Sequence, residues 1–298
     1  MKPLYKKVFR YGLLVACLLV LVVIALVFFV PQPLFPLPPL GRLTEQESMD
    51  MVSYLKTSGL PPNDYIISKF RQHDVVILGE NHRISQDPLF IQQLLPVLYK
   101  NGITLLGFEF ACTEDQERVD QLLNGKTYDK ALAVSILRNL DFGIWPYREY
   151  LDIFKAAWQL NSELPPDADR FRILPMTAYV DGEKLNHGTL EEQAEQRHRM
   201  NFTDSLIASI VEREAIQKGK KILVYCGRHH AFSRFHQPMY DDSNKFIGKY
   251  FTLRGGNRLF DKYPTKVTTV MLHSPISYTG FIAYGLPYYG LIDQAFAL

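Results

Sequence analysis

Two short apolar runs with a helical segment between them constrain the fold of this chain more than any other feature. Val75–Gly79 and Ile103–Phe110 have the length and the aliphatic composition of buried strands. Between them, Pro88–Tyr99 is apolar at helical spacing and ends before Asn101-Gly102, which is typical of a helix C-terminus. A strand, a helix and a strand within about 35 residues form a βαβ unit. Such a unit has parallel strands and a right-handed connection.

The rest of the C-terminal part repeats this alternation of strands and helices. Lys221–Cys226 and Val267–Leu272 are predicted strands, and Arg172–Thr177 is a weaker one, since Pro175 favours the edge of a sheet. Helical patterns lie at residues 113–123, 128–139, 147–161 and 190–218, and 279–284 is one more candidate strand. The alternation predicts an α/β fold: a single domain, residues 44–298, with a largely parallel β-sheet flanked by helices.

The N-terminal part of the chain has a different character. Residues 13–30 form an unbroken apolar run of 18 residues, which as a helix would be about 27 Å long and would just cross a bilayer core. We predict one N-terminal transmembrane helix, an uncleaved signal anchor. A cleaved signal peptide would have a shorter apolar region and a small-residue cleavage site, and this segment has no such site.

The segments on either side predict how this anchor is oriented. Four basic residues lie within residues 1–12, and no further basic residue follows until Arg42. The positive-inside rule therefore predicts a cytoplasmic N-terminus and an extracytoplasmic C-terminal domain. Residues 31–43, with five prolines between Pro31 and Pro39, are predicted to form an extended spacer that holds the domain off the membrane.

Charge and cysteine content narrow the classes of protein that fit. The formal net charge is +2, and leaving out the four basic residues near the N-terminus leaves a remainder near −2. A partner role for nucleic acid is therefore not expected. Three cysteines, Cys17, Cys112 and Cys226, do not make a disulfide framework, and pairing of Cys112 with Cys226 is left open.

Polar side chains that can carry chemistry follow three of the predicted strands. Glu80 and His82 come directly after the first strand, Glu109 lies at the end of the second, and His230 follows Lys221–Cys226. The pattern Gly-x-x-His thus occurs twice, each time after a buried strand. Ligands of open α/β sheets bind at the carboxyl ends of the strands. We therefore expect these four side chains to converge on one pocket.

These residue types suit two kinds of chemistry. Two imidazoles and a carboxylate can bind a divalent metal ion with an open water position, and His82, Glu109 and His230 are the predicted ligands. The same groups can act without a metal, with a histidine taking a proton from water while the carboxylates orient and stabilise it. The sequence leaves both alternatives open.

The strand ends also resemble a known family. The Gly-Glu-x-His, Phe-Glu and Gly-x-x-His-Ala patterns are similar to those of the EreA/ChaN/Tiki-type superfamily, over residues 70–275. Its members include erythromycin esterase-like hydrolases, Tiki- and TraB-type metalloprotease-like proteins and ChaN-like haem-binding lipoproteins. The spacing of Glu80-Asn-His82 is one residue shorter than in the esterase-like members, which favours the ChaN- and Tiki-like branches.

The resemblance implies roles for particular residues. His82, Glu109 and His230 would take the shared site positions, and a site arginine would be Arg199 or Arg197. Glu80, beside His82, would orient it or act as a base. Haem is implied as the alternative to a divalent metal ion, with His82 and His230 as the cofactor-binding residues.

Three functional hypotheses follow from these observations. The favoured one is a membrane-anchored, extracytoplasmic, metal-assisted hydrolase-like protein that acts on a small-molecule or peptide substrate. Its catalytic residues would be Glu80, His82, Glu109, His230 and Arg199. The second hypothesis is a haem- or iron-binding protein of the ChaN type without turnover. The third is a catalytically silent interaction module.

Overall fold

The structure is a computed structural model that describes residues 11, 13, 15–22, 41–140, 147–241, 245–251, 253–278, 283–286 and 290–297. The chain divides into two compact units, one of them Gly59–His273 and the other Met1–Ser58 together with Ser274–Leu298. All predicted site residues lie in the first unit. The domain bounds 44–298 stay a prediction.

The elements of secondary structure alternate along the chain as the sequence predicts. The strands are β1 (Val75–Glu80), β2 (Leu105–Cys112), β3 (Arg172–Thr177), β4 (Ile222–Gly227), β5 (Pro238–Tyr240), β6 (Phe246–Tyr250), β7 (Val267–Met271), β8 (Ile276–Tyr278) and β9 (Ala283–Gly285). The helices are α1 (Glu45–Ser58), α2 (Pro62–Lys69), α3 (Gln86–Lys100), α4 (Gln116–Asn124), α5 (Lys130–Arg138), α6 (Arg148–Ser162), α7 (Gly182–His187), α8 (Leu190–Met200), α9 (Thr203–Glu214), α10 (Gly255–Lys262) and α11 (Leu291–Ala297).

Five of the strands form one parallel sheet, in the order β3-β2-β4-β1-β7. The predicted α/β fold with a parallel sheet flanked by helices is therefore confirmed. Arg172–Thr177 lies at an edge of the sheet, as its proline predicts. The strands that carry Glu80, Glu109 and the segment before His230 are the three neighbours β1, β2 and β4 at the centre of the sheet.

Alternating side chains of the central strands enter two separate apolar cores. Val76 and Leu78 of β1 pack in one core with α3 and α6, whereas Val75 and Ile77 pack in the other with α9 and α10. All six residues of β1 and of β4 are buried, as expected for strands with helices on both faces. The two helical layers leave the carboxyl edge of the sheet as the place where polar side chains gather.

The predicted membrane-spanning segment is only partly described. Residues 13 and 15–22 are described as helical, and residues 14 and 23–30 of the segment lie outside the described residues. In the described parts of the chain, no helix is long and apolar enough to cross a membrane.

The amphipathic pattern at residues 190–218 predicts one long helix, and this prediction is wrong. Asn201 and Phe202 form a turn that separates α8 from α9. The turn contains neither glycine nor proline, so no helix-breaking residue marks it in the sequence. The break places buried Asp204 in the first turn of α9, where it faces other elements.

The cysteine pairing and the strand at residues 279–284 were the remaining predictions for the fold. Cys112 and Cys226 are both buried and both free, so the pairing left open by the sequence is absent. The candidate strand at residues 279–284 lies mostly outside the described residues, and its last residues belong to β9, which pairs with β8.

Candidate functional site

Glu80 ends β1 and is fully buried at the carboxyl edge of the sheet. Its Oε1 accepts hydrogen bonds from Nδ1 of His82 and from the hydroxyl of Tyr150, each 2.7 Å long. Its Oε2 accepts a hydrogen bond from the hydroxyl of Tyr225. A carboxylate can be buried when donors satisfy its oxygens in this way. The three bonds fix the carboxylate and, through it, the orientation of the His82 ring.

The two tyrosines reach Glu80 from different elements. Tyr225 lies in β4 opposite Leu78 of β1, and since side chains two residues apart share a face, it projects to the same side as Glu80. Tyr150 lies in the first turn of α6, which packs on that face. Burial, and then the negative charge of Glu80, raise the pKa of both hydroxyls, so both remain protonated donors.

His82 follows β1, and 32% of its side chain is exposed. Because a carboxylate can only accept, Nδ1 of His82 carries a proton, and in the neutral form of the ring Nε2 is then the acceptor nitrogen. Nε2 lies 2.7 Å from the place that a Cβ on Gly227 would occupy, and Oε2 of Glu109 lies 3.4 Å from that place. The missing side chain at Gly227 thus lets the imidazole and the carboxylate come close to each other beside the end of β4.

Glu109 lies between the two histidines. Its Oε2 accepts a hydrogen bond from the backbone N–H of Gly227, and its Oε1 lies 3.4 Å from Nε2 of His230. The structure therefore brings together the four side chains that the sequence predicts to converge. They form a continuous row at the ends of β1, β4 and β2. Their chemical roles stay a prediction.

His230 has a second carboxylate partner that sequence reasoning missed. Its Nδ1 donates to Oδ1 of Asp204 over 2.7 Å. Burial disfavours the charged ring, but the charge of Glu109 and the bond to Asp204 outweigh that cost and raise the pKa of His230 to about 9. His230 is therefore an imidazolium at neutral pH, with Nε2–H directed at Glu109.

Asp204 is held in place by elements far from it in sequence. Its Oδ1 also accepts the backbone N–H of Gly255 over 2.7 Å, and its Oδ2 lies 3.4 Å from a guanidinium nitrogen of Arg254. Burial alone would raise the pKa of Asp204. The bonds from His230 and Gly255 and the charge of Arg254 outweigh that effect, so the pKa is lowered and the carboxyl is ionised. Its only signal in the sequence was a carboxylate on the apolar face of a helical pattern.

Asp87 is a further buried carboxyl close to this group. It lies in the first turn of α3, and its Oδ2 has no hydrogen-bond partner among the described residues. Burial and the charge of Glu80 raise the pKa of Asp87 to about 7, against a hydrogen bond from the backbone of Asn81 that lowers it. Asp87 therefore exchanges a proton near neutral pH, in contrast to Asp204.

The predicted site arginine lies in a different environment. Arg199, in α8, pairs with Glu195 at 3.2 Å and with Glu114 at 3.9 Å, and its side chain is 43% exposed. Arg197 contacts Gln193, one turn earlier in the same helix. Neither contact involves the row of histidines and glutamates, and a catalytic role for Arg199 stays a prediction.

The predicted metal site is not found in this arrangement. Among the residues that the structure describes, no group of three His, Cys, Asp or Glu side chains is placed to hold a metal ion. The reason is visible in the contacts of His82, Glu109 and His230. Nε2 of His230 faces Glu109, and Glu109 accepts the N–H of Gly227. These predicted metal ligands are therefore directed at each other and at the backbone.

The same residues could supply one ligand to a haem iron. Histidines that bind metals usually donate their other ring N–H to a carboxylate or carbonyl, and His82 has this arrangement with Glu80. Its Nε2 would then be the nitrogen that binds the iron. His230 is protonated at neutral pH and would have to lose a proton to serve as the second predicted ligand.

Comparison with known proteins gives a family match over part of the chain. Residues 66–165 match the model of a family described as haem-binding uptake, Tiki superfamily, ChaN. The resemblance to the ChaN and Tiki superfamily is confirmed. The matched segment contains β1, α3 and β2, and with them Glu80, His82 and Glu109. His230 and Asp204 lie beyond it. No curated protein matches the chain in sequence.

Several solved structures are similar to the chain. One is ChaN of Campylobacter jejuni, described with cofacial haem binding, with 14% identity and a TM-score of 0.44 over 74% of this chain and 89% of that one. A protein from Bacillus cereus has 13% identity and a TM-score of 0.42, covering 81% and 79%. RRSP, a toxin effector domain from Vibrio vulnificus, has 16% identity and a TM-score of 0.40, covering 76% and 43%. The chain spans 42% of the length of another match, described as bacterial protein toxins.

Proposed function

We propose that this chain is a membrane-anchored, hydrolase-like protein of the ChaN and Tiki superfamily that uses His82, Glu109 and His230 at the carboxyl edge of its sheet. One observation supports this proposal above the others. Each imidazole has its own carboxylate at Nδ1, Glu80 for His82 and Asp204 for His230, and Glu109 lies between the two rings. A histidine oriented by a carboxylate at Nδ1 is an arrangement that acid–base catalysis uses.

The two histidines are suited to opposite tasks. Nε2 of His82 can take a proton from a water molecule, and Glu80 then stabilises the imidazolium that forms. Glu109 can accept the second hydrogen of that water and so orient it. His230 is already charged, so its Nε2–H can donate to the negative charge that develops on the substrate. Glu80 and Asp204 act through the histidines and are positioning residues.

Anchoring to a membrane with the α/β unit on the extracytoplasmic side is part of the proposal. The apolar run at residues 13–30 and the four basic residues before it support this placement. A reporter that is active only outside the cytoplasm, fused after Leu298, is expected to be active and to remain with the membrane fraction after alkaline extraction. An active reporter in the soluble fraction would contradict the anchor, and an inactive one would contradict the orientation.

Hydrolysis can be tested with the full chain in a mild detergent on p-nitrophenyl acetate, p-nitrophenyl phosphate and a chromogenic peptide. We expect turnover of one of them, with kcat lowered about a hundredfold or more in His82→Ala and in Glu109→Gln. His73→Ala is the matched control, because His73 contacts the carbonyl of Thr265, before the start of β7, and should leave kcat unchanged. Repeating the assay with a chelator and with added divalent ions tests metal assistance.

A second candidate function, binding of haem without turnover, is favoured by the description of the matching family. When bound, haem would supply an iron centre, for which Nε2 of His82 is the fitting ligand. Titration of the full chain with haem should then give an absorption band shift that is lost in His82→Ala and kept in His73→Ala. If His82→Ala changes neither hydrolysis nor the haem spectrum, both candidate functions are contradicted and an interaction module remains.

A further inference from the structure

A cleft lies along helices α5 and α6, on the outer side of the latter. Its volume is about 560 Å³, within the range of pockets that hold small molecules. The residues that line it include four basic side chains, Lys130, Arg138, Arg148 and Lys155. Helix α6 is also the helix that carries Tyr150 to Glu80. The cleft therefore belongs to the same structural element that supports the candidate site.

Among the described residues that line the cleft, four side chains are basic and one is acidic. Asp152 is the one acidic residue among the described lining residues, and it pairs with Arg148 at 3.2 Å. Within the part of the chain that the structure describes, no carboxylate forms a salt bridge with Lys130, Arg138 or Lys155. Three cations around one concave surface create a potential that attracts a negatively charged ligand.

Tyr128 also lines the cleft and carries a polar group. Its hydroxyl is buried and has no hydrogen-bond partner among the described residues. The ring packs against Trp158, whose Nε1 donates to the carbonyl of Gly125 over 2.8 Å, so the position of the hydroxyl is fixed. Burial, and then the charges of Asp152 and Asp129, raise the pKa of Tyr128 to about 12, which keeps it a donor.

The remaining wall of the cleft is apolar. Val134, Leu137 and Leu151 line it, together with the ring of Tyr147. A buried donor without an acceptor is costly, and a bound anionic oxygen would remove that cost. Basic side chains for the charge, a hydroxyl for one oxygen and aliphatic side chains for the body are the groups that recognise an organic anion.

We infer that this cleft binds an organic anion, a phosphate or carboxylate group attached to an apolar body. Tyr128 donates to an oxygen of the anionic group, Arg138 and Lys155 neutralise its charge, and the aliphatic side chains contact the body. Tyr147 also lines a small neighbouring cavity with Arg83 and Tyr150, the residue that holds Glu80.

Binding can be measured by calorimetry on the full chain and on its His82→Ala variant, with phenyl phosphate and benzoate as the two anions. Benzyl alcohol and benzylammonium are the neutral and cationic controls. We expect at least one anion to bind tenfold or more tightly than either control. The difference between phenyl phosphate and benzoate identifies which anionic group the cleft prefers.

Variants locate the binding to the cleft. Tyr128→Phe removes only the hydroxyl and should weaken anion binding about tenfold, as expected for one hydrogen bond to a charged group. Arg138→Glu with Lys155→Glu should weaken it more than tenfold, whereas Lys249→Glu, on exposed β6, should leave it unchanged. If the double reversal does not fold, Tyr128→Phe and Lys155→Ala decide the question.

Two outcomes would overturn the inference: anions that bind no better than benzyl alcohol, or anion affinities that the cleft variants change no more than Lys249→Glu does. The readout is independent of turnover. Anion binding kept in His82→Ala supports the cleft even if no substrate is hydrolysed. Hydrolysis without anion binding would support the proposed function and refute the cleft.

Discussion

Replacing Glu80 with leucine is expected to lower the free energy of unfolding by about 4 kcal/mol. The substitution leaves the hydroxyls of Tyr150 and Tyr225 and the Nδ1–H of His82 without their acceptor. A buried donor that loses its partner costs about 1–3 kcal/mol. The tyrosines are almost fully buried, while the histidine is partly exposed and can turn to water. Urea denaturation of the full chain, followed by circular dichroism, measures the effect.

The physical reason can be separated from a general loss of packing. If unsatisfied hydroxyls cause the loss, then adding Tyr150→Phe and Tyr225→Phe to Glu80→Leu should restore most of the stability, because apolar groups of similar shape then replace both hydroxyls and their acceptor, while His82 is partly exposed and can turn to water. Tyr99→Phe is the matched control. Its hydroxyl donates to the carbonyl of Asp169 at an exposed position, and its loss should cost less than 1 kcal/mol. A triple variant as unstable as Glu80→Leu would contradict the proposed network.

The buried strands were predictable because each is a short apolar run closed by a polar residue. In β1 this pattern also placed Glu80 and His82 together, since both follow the run within three residues. The sequence could not show that β4 lies between β1 and β2. That order is what allows Gly227 to contact both His82 and Glu109, and it depends on contacts between residues more than 100 positions apart.

The partners of the predicted residues were harder to find. The rings of Tyr225 and Tyr150 lie in the core, as expected for aromatic side chains in apolar segments. Their hydroxyls also hold Glu80, which the sequence did not indicate. Asp204 lies within a continuous helical pattern, and only the turn at Asn201 brings it to the site. A carboxylate on the apolar face of a helix, where it needs a partner, was the signal that could have identified Asp204.

The positions of Glu80 and Glu109 depend on the alternation of side chains between the two faces of a strand. Glu80 shares a face of the sheet with Leu78 and Tyr225, in one core. Glu109 lies between Phe108 and Phe110, which pack in that same core, so its side chain starts on the opposite face. The two glutamates therefore reach the edge from different sides, with Glu80 beside His82 and Glu109 between His82 and His230. Moving either by one residue would reverse its face and separate it from the site.

The stability of the protein is expected to fall by about 3 kcal/mol between pH 6.5 and pH 9 through His230. Its pKa is about 9 in the folded protein and 6.5 as the reference value. The folded state therefore binds the proton more tightly than the unfolded state, so the stabilisation is complete below pH 6.5 and disappears as the pH rises through 9. The shift of about 2.5 pH units corresponds to about 3 kcal/mol. Urea denaturation at a series of pH values measures this decline.

Two variants distinguish the contribution of His230 to the pH dependence of stability from those of other titratable groups. Asp204→Asn keeps an acceptor for Nδ1 of His230 but removes the negative charge, so the decline above pH 6.5 should shrink and shift to lower pH. Asp87→Asn should leave that upper decline unchanged. The pKa of Asp87 is raised from 3.8 to about 7, so its loss of a proton should cause a second decline in stability between about pH 4 and 7, of up to about 4 kcal/mol. Asp87→Asn should remove this second decline.

The loss of the proton from His230 near pH 9 also predicts the pH range in which His230 can donate a hydrogen bond to the substrate. If His230 donates a hydrogen bond to developing negative charge, kcat should decrease with the same midpoint, near pH 9, at which the stability is lost. Asp204→Asn should then lower the midpoint of the activity and that of the stability together. Midpoints that move independently would show that the charged form of His230 stabilises the fold without taking part in the reaction.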